Sequence, residues 1–136
     1  MSAPLISCRQ LSKTFGSIEA VSGISFDLGE TGFLSILGPS GCSKSTLLRL
    51  LSGLETPEMG SIALSGREIS SPRILLPPEK RKFGMIFQDF ALFPHMSVAS
   101  NIAYGVRGSR NDKRLRVSEL LNLVSLPTWQ IRCPTS

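Results

Sequence analysis

Short apolar runs broken by glycine, proline and serine fill the chain, and their period switches between that of a strand and that of a helix. Residues 5–10 and 20–28 alternate small, β-branched or aromatic side chains with polar ones. With Gly16 and Gly29 as punctuation, they predict two strands. Residues 33–37, Phe33-Leu34-Ser35-Ile36-Leu37, form a nearly unbroken apolar run, the pattern of a strand covered on both faces. Gly38-Pro39-Ser40-Gly41-Cys42 follows at once and cannot extend a strand. Beyond it, Leu47, Leu48, Leu50, Leu51 and Leu54 spread over much of a helical circumference, so residues 44–54 predict a mostly buried helix. Residues 61–64 and 83–87 predict further strands, with Ser70-Ser71-Pro72 and Pro77-Pro78 marking a loop between them. Val98, Ile102 and Val106 stand four apart and predict a helix that Ser97 can cap. Val117, Leu120, Leu121 and Val124 predict another, ended by Pro127. Strands alternating with helices make this an α/β chain, without internal repeats or low-complexity segments.

Length changes the picture only by limiting it. A chain of 136 residues suffices for one domain with a real core, since about 150 residues bury roughly 68–70% of their unfolded surface. A mean hydropathy of +0.13 fits a soluble globular protein with a rather apolar surface or an absent partner. No apolar run approaches the roughly 20 residues of a membrane span, and Met1-Ser2-Ala3-Pro4-Leu5 lacks the basic start of a signal peptide. A cytoplasmic protein is expected. Cys8, Cys42 and Cys133 are too scattered for a zinc site or a disulfide frame and read as reduced thiols. The net charge of +5 is compatible with nucleic acid, a membrane surface or a phosphorylated ligand. Its clusters, Lys80-Arg81-Lys82 and Arg107, Arg110, Lys113, Arg114 and Arg116, lack interleaved aromatics and read as solvated faces, so nucleic acid is not the expected partner.

The candidate chemistry lies at the strand-to-helix junction. Gly38-Pro39-Ser40-Gly41-Cys42-Ser43-Lys44-Ser45 has the spacing of the phosphate-binding loop G-x-x-x-x-G-K-[ST], with Ser43 in place of the second glycine. Such a loop turns its backbone N–H groups inward at the positive end of the following helix and so cradles an anion. Lys44 then reaches the terminal phosphates, the Ser45 hydroxyl meets Mg²⁺, and Thr46 lies on the α-phosphate side. An ordinary glycine-rich turn with a solvated lysine is the plainer alternative. A dinucleotide site is not supported, because no G-x-G-x-x-G occurs.

Over nearly the whole chain, to about Leu126, the sequence resembles the ATPases of ATP-binding-cassette (ABC) transporters, and the motifs match in order. The stretch from Gly38 to Leu48 resembles their phosphate loop. Leu11-Ser12-Lys13-Thr14-Phe15-Gly16 is similar to their aromatic loop, with Phe15 in the adenine-stacking position. Leu50-Leu51-Ser52-Gly53-Leu54-Glu55-Thr56-Pro57 and Gly60-Ser61-Ile62 resemble the segments that follow the loop helix. Phe83-Gly84-Met85-Ile86-Phe87-Gln88-Asp89-Phe90-Ala91-Leu92-Phe93-Pro94-His95 is similar to the Gln-containing coupling loop of import ATPases of the ferric-iron, polyamine and sugar types. The resemblance implies a P-loop NTPase fold, an ABC ATPase core with an N-terminal antiparallel β part and a C-terminal truncation. It implies one partial nucleotide-binding domain over 1–136, with β and P-loop core at about 1–88 and the start of a helical subdomain at about 89–136. ATP and Mg²⁺ are the implied cofactors. Phe15, Gly38, Pro39, Ser40, Gly41, Cys42, Ser43, Lys44, Ser45, Thr46 and Gln88 are the implied nucleotide residues, and Ser45 and Gln88 the metal ligands. The implied partners are a transmembrane permease and a second nucleotide-binding subunit, at the inner face of the cell membrane.

Gln88 suits that task, since its amide can hold Mg²⁺ or the attacking water at a mobile joint. Phe90, Leu92 and Phe93 read either as the surface that meets the permease or as core. His95 is expected to be a loop residue without catalytic function. Leu51-Ser52-Gly53 and Leu64-Ser65-Gly66 lack the second glycine and the glutamine of the LSGGQ signature, and no apolar strand ends in Asp-Glu after the phosphate loop. Asp89 does not substitute for that pair. The expected function is therefore the ATP-binding subunit of an importer, not hydrolytically competent alone; a non-catalytic remnant and a soluble nucleic-acid-acting ABC protein are the alternatives. Ser43 is expected to fit a first helical turn while weakening nucleotide affinity, and the chain expressed alone to be partly ordered and prone to aggregate through open strand edges.

Overall fold

Pairing begins with the two alternating runs, which are long enough to satisfy each other's backbone. The computed structural model describes residues 4–39, 41, 43–88 and 91–125. In it β1 (Ile6–Phe15) and β2 (Ile18–Leu28) form an antiparallel hairpin running from Phe15 opposite Ile18 to Ile6 opposite Leu28, with register shifts between Cys8 and Leu11, Leu11 and Lys13, and Lys13 and Thr14. The other edge of β1 pairs antiparallel with β3 (Met59–Leu64), with Cys8 opposite Ile62, and β3 pairs with β4 (Arg67–Ser70). The order β2-β1-β3-β4 makes β1 an inner strand, and its Cys8 and Leu11 are fully buried. Burial pushes the Cys8 thiol up to about 12, with Arg9 pulling the other way, so it stays neutral and unreactive.

Helix α1 (Lys44–Ser52) closes this core from one side. Its Leu47 and Leu50 join Cys8, Leu11, Val21, Ile62 and Ile69 in a single apolar cluster. Two sequence expectations are corrected here. The helix ends at Ser52 rather than Leu54 and is amphipathic rather than mostly buried, since Leu48 and Arg49 are exposed while Leu47 and Leu50 meet the sheet. Residues 33–37 and 83–87 are not strands: Phe33 is 94% exposed, Leu37 89% and Ile86 98%. A strand exists only where a neighbour takes its N–H and C=O groups, and among the described residues none pairs with either run. Ile36 and Phe83 nevertheless pack against the core. The loop expected around residues 70–78 holds the end of β4 and a one-turn helix α2 (Pro78–Arg81), both missed because four-residue elements carry too little periodicity to detect.

The chain divides into two compact units, Met1–Met85 and Ile86–Ser136. In the second, the Ser97 hydroxyl accepts from Ser100 N at 3.1 Å and starts α3 (Val98–Tyr104), as its sequence predicts. Asn101 fixes the turn before it, accepting from Phe93 N at 2.8 Å and donating to the carbonyls of Phe93, Met96 and Ser97. Helix α4 (Arg110–Leu123) buries Val117 and Leu121, while Val124 is its exposed C-cap. Pro127, with Leu126, Cys133 and Pro134, lies outside the described residues. Among the described residues no helix is long and apolar enough to cross a membrane.

Candidate functional site

The junction between residues 33–37 and α1 doubles back on itself. Lys44 lies in the first turn of α1, and its Nζ donates to the carbonyls of Gly38 at 2.9 Å and Pro39 at 2.7 Å. The ammonium is thus strapped across the loop it belongs to, which rules out an extended path there. Gly41 has φ +84°. Ser43 follows as the N-cap with φ +61° and ψ +21°, and its carbonyl accepts from Thr46 N at 3.0 Å and Leu47 N at 3.2 Å. Ser43 therefore does not sit in the first helical turn, as its sequence position implied, but in the left-handed region just ahead of it. A glycine adopts that region freely, whereas a Cβ costs roughly 1–2 kcal/mol. The Ser43 side chain makes no capping hydrogen bond in compensation.

Around this turn the remaining residues are placed as follows. Ser45 is exposed and Thr46 half-buried on α1. Gly38, Pro39 and Gly41 are exposed, and Ser40 and Cys42 lie outside the described residues. A cavity of about 280 Å³ opens beside Ser43 and Lys44, with Val21, Ile24, Leu37 and Leu47 among its walls. Phe15 stands where the β1–β2 hairpin turns; it is 43% exposed, with the Lys13 ammonium 5.2 Å from its ring centre. The sequence thus brings together Gly38, Pro39, Ser43, Lys44 and Thr46, with Ser45 adjoining. Gln88 is exposed in the second unit, and Asp89 and Phe90 lie outside the described residues. Leu92 and Phe93 are exposed rather than core; the Phe93 ring is 4.7 Å from that of Tyr104 and 6.1 Å from that of His95.

The donor set fits an anion. A cation, a left-handed turn and the amino end of a helix converge on one exposed loop. It fits Mg²⁺ only as a guest of that anion. Among the described residues no group of three or more His, Cys, Asp or Glu could hold a metal ion. Mg²⁺, however, takes few protein ligands when phosphate oxygens are present, and the Ser45 hydroxyl is a hard oxygen of the right kind.

One residue of the site's support was misread in the sequence. Arg81, the middle of the supposedly solvated Lys80-Arg81-Lys82, is 1% exposed. Its Nε donates to Leu76 O at 2.6 Å, Nη1 to Leu50 O and Leu51 O at 2.9 Å each, and Nη2 to Ile69 O at 3.4 Å. Burial lowers its pKa from the usual guanidinium value, yet a guanidinium remains charged in proteins. Three neighbouring cations read alike in a sequence; only the fold singles one out.

A four-stranded antiparallel sheet closed by one helix, with a lysine-strapped loop at that helix's start, has the layout of a P-loop cassette fold. The sequence profile of the ABC transporter family matches residues 21–135, and the chain belongs to that family. Its relatives include a ferric-iron import ATP-binding protein of Pectobacterium atrosepticum, 43% identical over 91% of this chain and 36% of that protein. A sulfate/thiosulfate import ATP-binding protein of Chromobacterium violaceum is 44% identical over 96% of this chain and 35% of that one. A spermidine/putrescine import ATP-binding protein of Legionella pneumophila is 42% identical over 93% and 34%. The chain thus spans about a third of the length of these curated relatives. Among solved structures it is similar to the ATP-binding cassette MJ0796, a dimer in a post-hydrolysis state with ADP and phosphate, at TM-score 0.77 and 25% identity. That match covers 96% of this chain and 62% of the other.

Proposed function

We propose that this chain binds ATP with Mg²⁺ through the loop from Gly38 to Thr46, as the nucleotide-binding part of an ABC importer. The observation that carries the proposal is the Lys44 strap, which holds an ammonium group over a turned-back loop at a helix start. In this reading Lys44 meets the β- and γ-phosphates, backbone N–H groups of the loop and Thr46 hold the remaining phosphate oxygens, and Phe15 stacks on adenine. Bound Mg²⁺ neutralises phosphate charge, and Ser45 and Gln88 are the residues of this chain that would hold it. For the whole protein, the reading extends to coupling nucleotide state to import through a transmembrane permease, with a second cassette as partner and a seat on the inner face of the membrane. The import relatives and the dimeric cassette support that extension. The transported substrate is not part of the proposal. Action on nucleic acid is the weaker reading, because one of the three cations in its best basic cluster is buried against carbonyls.

Lys44→Ala tests the reading directly. With the folded chain and a fluorescent ATP analogue plus Mg²⁺, the variant should lose at least about tenfold in affinity, equivalent to about 1.4 kcal/mol. Equal affinities for the variant and the parent chain would remove Lys44 from the site and the proposal with it.

A further inference from the structure

We propose that Arg81 is a positioning residue for the phosphate-binding loop, acting through the far end of α1; the inference builds on the nucleotide-binding reading above. A buried guanidinium normally has a carboxylate beside it, because an uncompensated charge in a low-dielectric interior is costly. Arg81 has none: the three ion pairs among the described residues are Arg9–Asp27, Lys13–Glu55 and Arg116–Glu119. Its charge is instead met by four carbonyls. Two of these, Leu50 O and Leu51 O, belong to the last turn of α1, where the helix dipole is negative; Leu50 O also accepts from the C-cap Gly53 N at 3.3 Å. The other two, Ile69 O and Leu76 O, belong to β4 and to the segment beyond it. One planar fork therefore ties the carboxyl end of α1 to the far edge of the sheet.

The tie is tight enough to select its neighbour. Gly53, the C-cap of α1, has φ +86°, and a Cβ built there would collide with Nε and Cζ of Arg81. A side chain at position 53 would thus fail twice, on backbone conformation and on space.

At the other end of the same helix the N-cap side chain adds no restraint of its own. Ser43 caps α1 without a side-chain hydrogen bond, so what the loop adds at this end is the strap from Lys44 to the Gly38 and Pro39 carbonyls, which holds a side chain rather than the helix axis. The position of Lys44 and Ser45 depends on three things: the Lys44 strap to the Gly38 and Pro39 carbonyls, the packing of Leu47 and Leu50 into the core, and the anchoring of the carboxyl end. Nine residues of helix are about 14 Å long and stiff. A displacement allowed at Leu51 is therefore passed on to Lys44. Arg81 is not a catalytic residue in this scheme; it sets where the binding residues stand.

Amide hydrogen exchange on the 136-residue chain, with Arg81→Lys, Arg81→Met and Gly53→Ala, separates this role from simple stabilisation. Lysine keeps the charge but offers its donors from one nitrogen and cannot span carbonyls on three segments. The expected result is a loss of protection of roughly tenfold at the Thr46 and Leu47 amides, with the β1–β2 ladder unchanged. Magnesium–ATP affinity should fall by about tenfold at a temperature where the circular dichroism stays native. Exchange that rises only at the Gly53, Leu54 and Glu55 amides would overturn the proposal in favour of a local cap. Exchange that rises equally everywhere would overturn it in favour of global stability. If Arg81→Met does not fold, Arg81→Lys and Gly53→Ala carry the same comparison. Should the parent chain fail to bind nucleotide, the nucleotide reading falls, while the exchange pattern still decides for or against Arg81.

Discussion

Among the described residues α1, α3 and α4 each begin at a serine, and the first and last of them begin in opposite ways. Ser109 enters α4 with extended backbone, φ −66° and ψ +168°, and its hydroxyl accepts from Asp112 N while the Asp112 carboxylate accepts from Ser109 N at 2.8 Å. That is a closed capping box, in which the helix satisfies its own first donors. Ser43 enters α1 in the left-handed region and gives its side chain to no cap. The difference teaches what each start is for. A helix that completes its own hydrogen bonds has little left to offer a ligand, whereas one that begins strained and uncapped keeps its amino end available for an anion. Lys44, folded back onto Gly38 and Pro39, adds the charge.

The comparison breaks most visibly at α4. Ser109→Ala should cost about 1 kcal/mol, within the range of about 0.5–2 for a lost serine cap, read as a lower urea midpoint of the helical signal. Ser109→Gly should cost only a few tenths. No loss in the alanine variant would mean that α4 is held by the packing of Val117 and Leu121 alone, and that its capping box is incidental.

These serines also mark how far the residues could be read beforehand. The cap at Ser97 and the presence of α3 and α4 followed from local spacing, because a helix start is a short-range matter; of the expected stripes, Val106 lies beyond α3, no α3 residue is buried, and Val124 is exposed at the end of α4. The β1–β2 hairpin and β3 were legible for a similar reason, since each strand alternates and finds its partner within the described sheet. Residues 33–37 carry an equally clear apolar pattern and yet form no strand, because a strand's hydrogen bonds are made by its neighbours and its sequence does not contain them. In the site, the loop spacing pointed to Lys44, Ser45 and Thr46, and the structure sets the Lys44 ammonium against the Gly38 and Pro39 carbonyls. The backbone sign of Ser43 was not legible, because the substitution of serine for glycine hides the very conformation a glycine would have announced. Arg81 was hidden by its neighbours Lys80 and Lys82, which differ from it only in where the fold carries them.

A smaller effect of the opposite sign is expected at the other serine. Ser43→Gly removes a left-handed serine worth roughly 1–2 kcal/mol, while the added freedom of the unfolded chain takes back roughly 0.4–1 kcal/mol. The net should be a gain of roughly 0–1.6 kcal/mol, centred on about 0.8, in urea unfolding, accompanied by tighter magnesium–ATP binding. The same exchange of serine for glycine thus stabilises one helix start and weakens the other. A destabilised Ser43→Gly, or one with unchanged nucleotide affinity, would mean that serine contributes something at this position beyond strain.

The smallest expected effect is a pH dependence confined to α4. The hydrogen bond from the Ser109 hydroxyl, and after it that from the Ser109 backbone, hold the Asp112 carboxyl below its usual 3.8. A depressed folded value means that the charged form is favoured by folding. Its contribution is then complete above the ordinary carboxylate value and is lost as the pH falls through the lower, folded one. Asp112→Asn should therefore melt below the parent chain at neutral pH, and the gap should close in acid once the parent carboxyl is protonated. Arg9–Asp27 provides the internal control: Asp27 is also held low, first by its hydrogen bond from Arg9, but it lies at the β1–β2 edge, remote in sequence from any helix start. If Asp112→Asn leaves a gap that persists unchanged at low pH, the box acts through its shape rather than its charge. The two serines would then differ in geometry alone, and the electrostatic half of the comparison would be withdrawn.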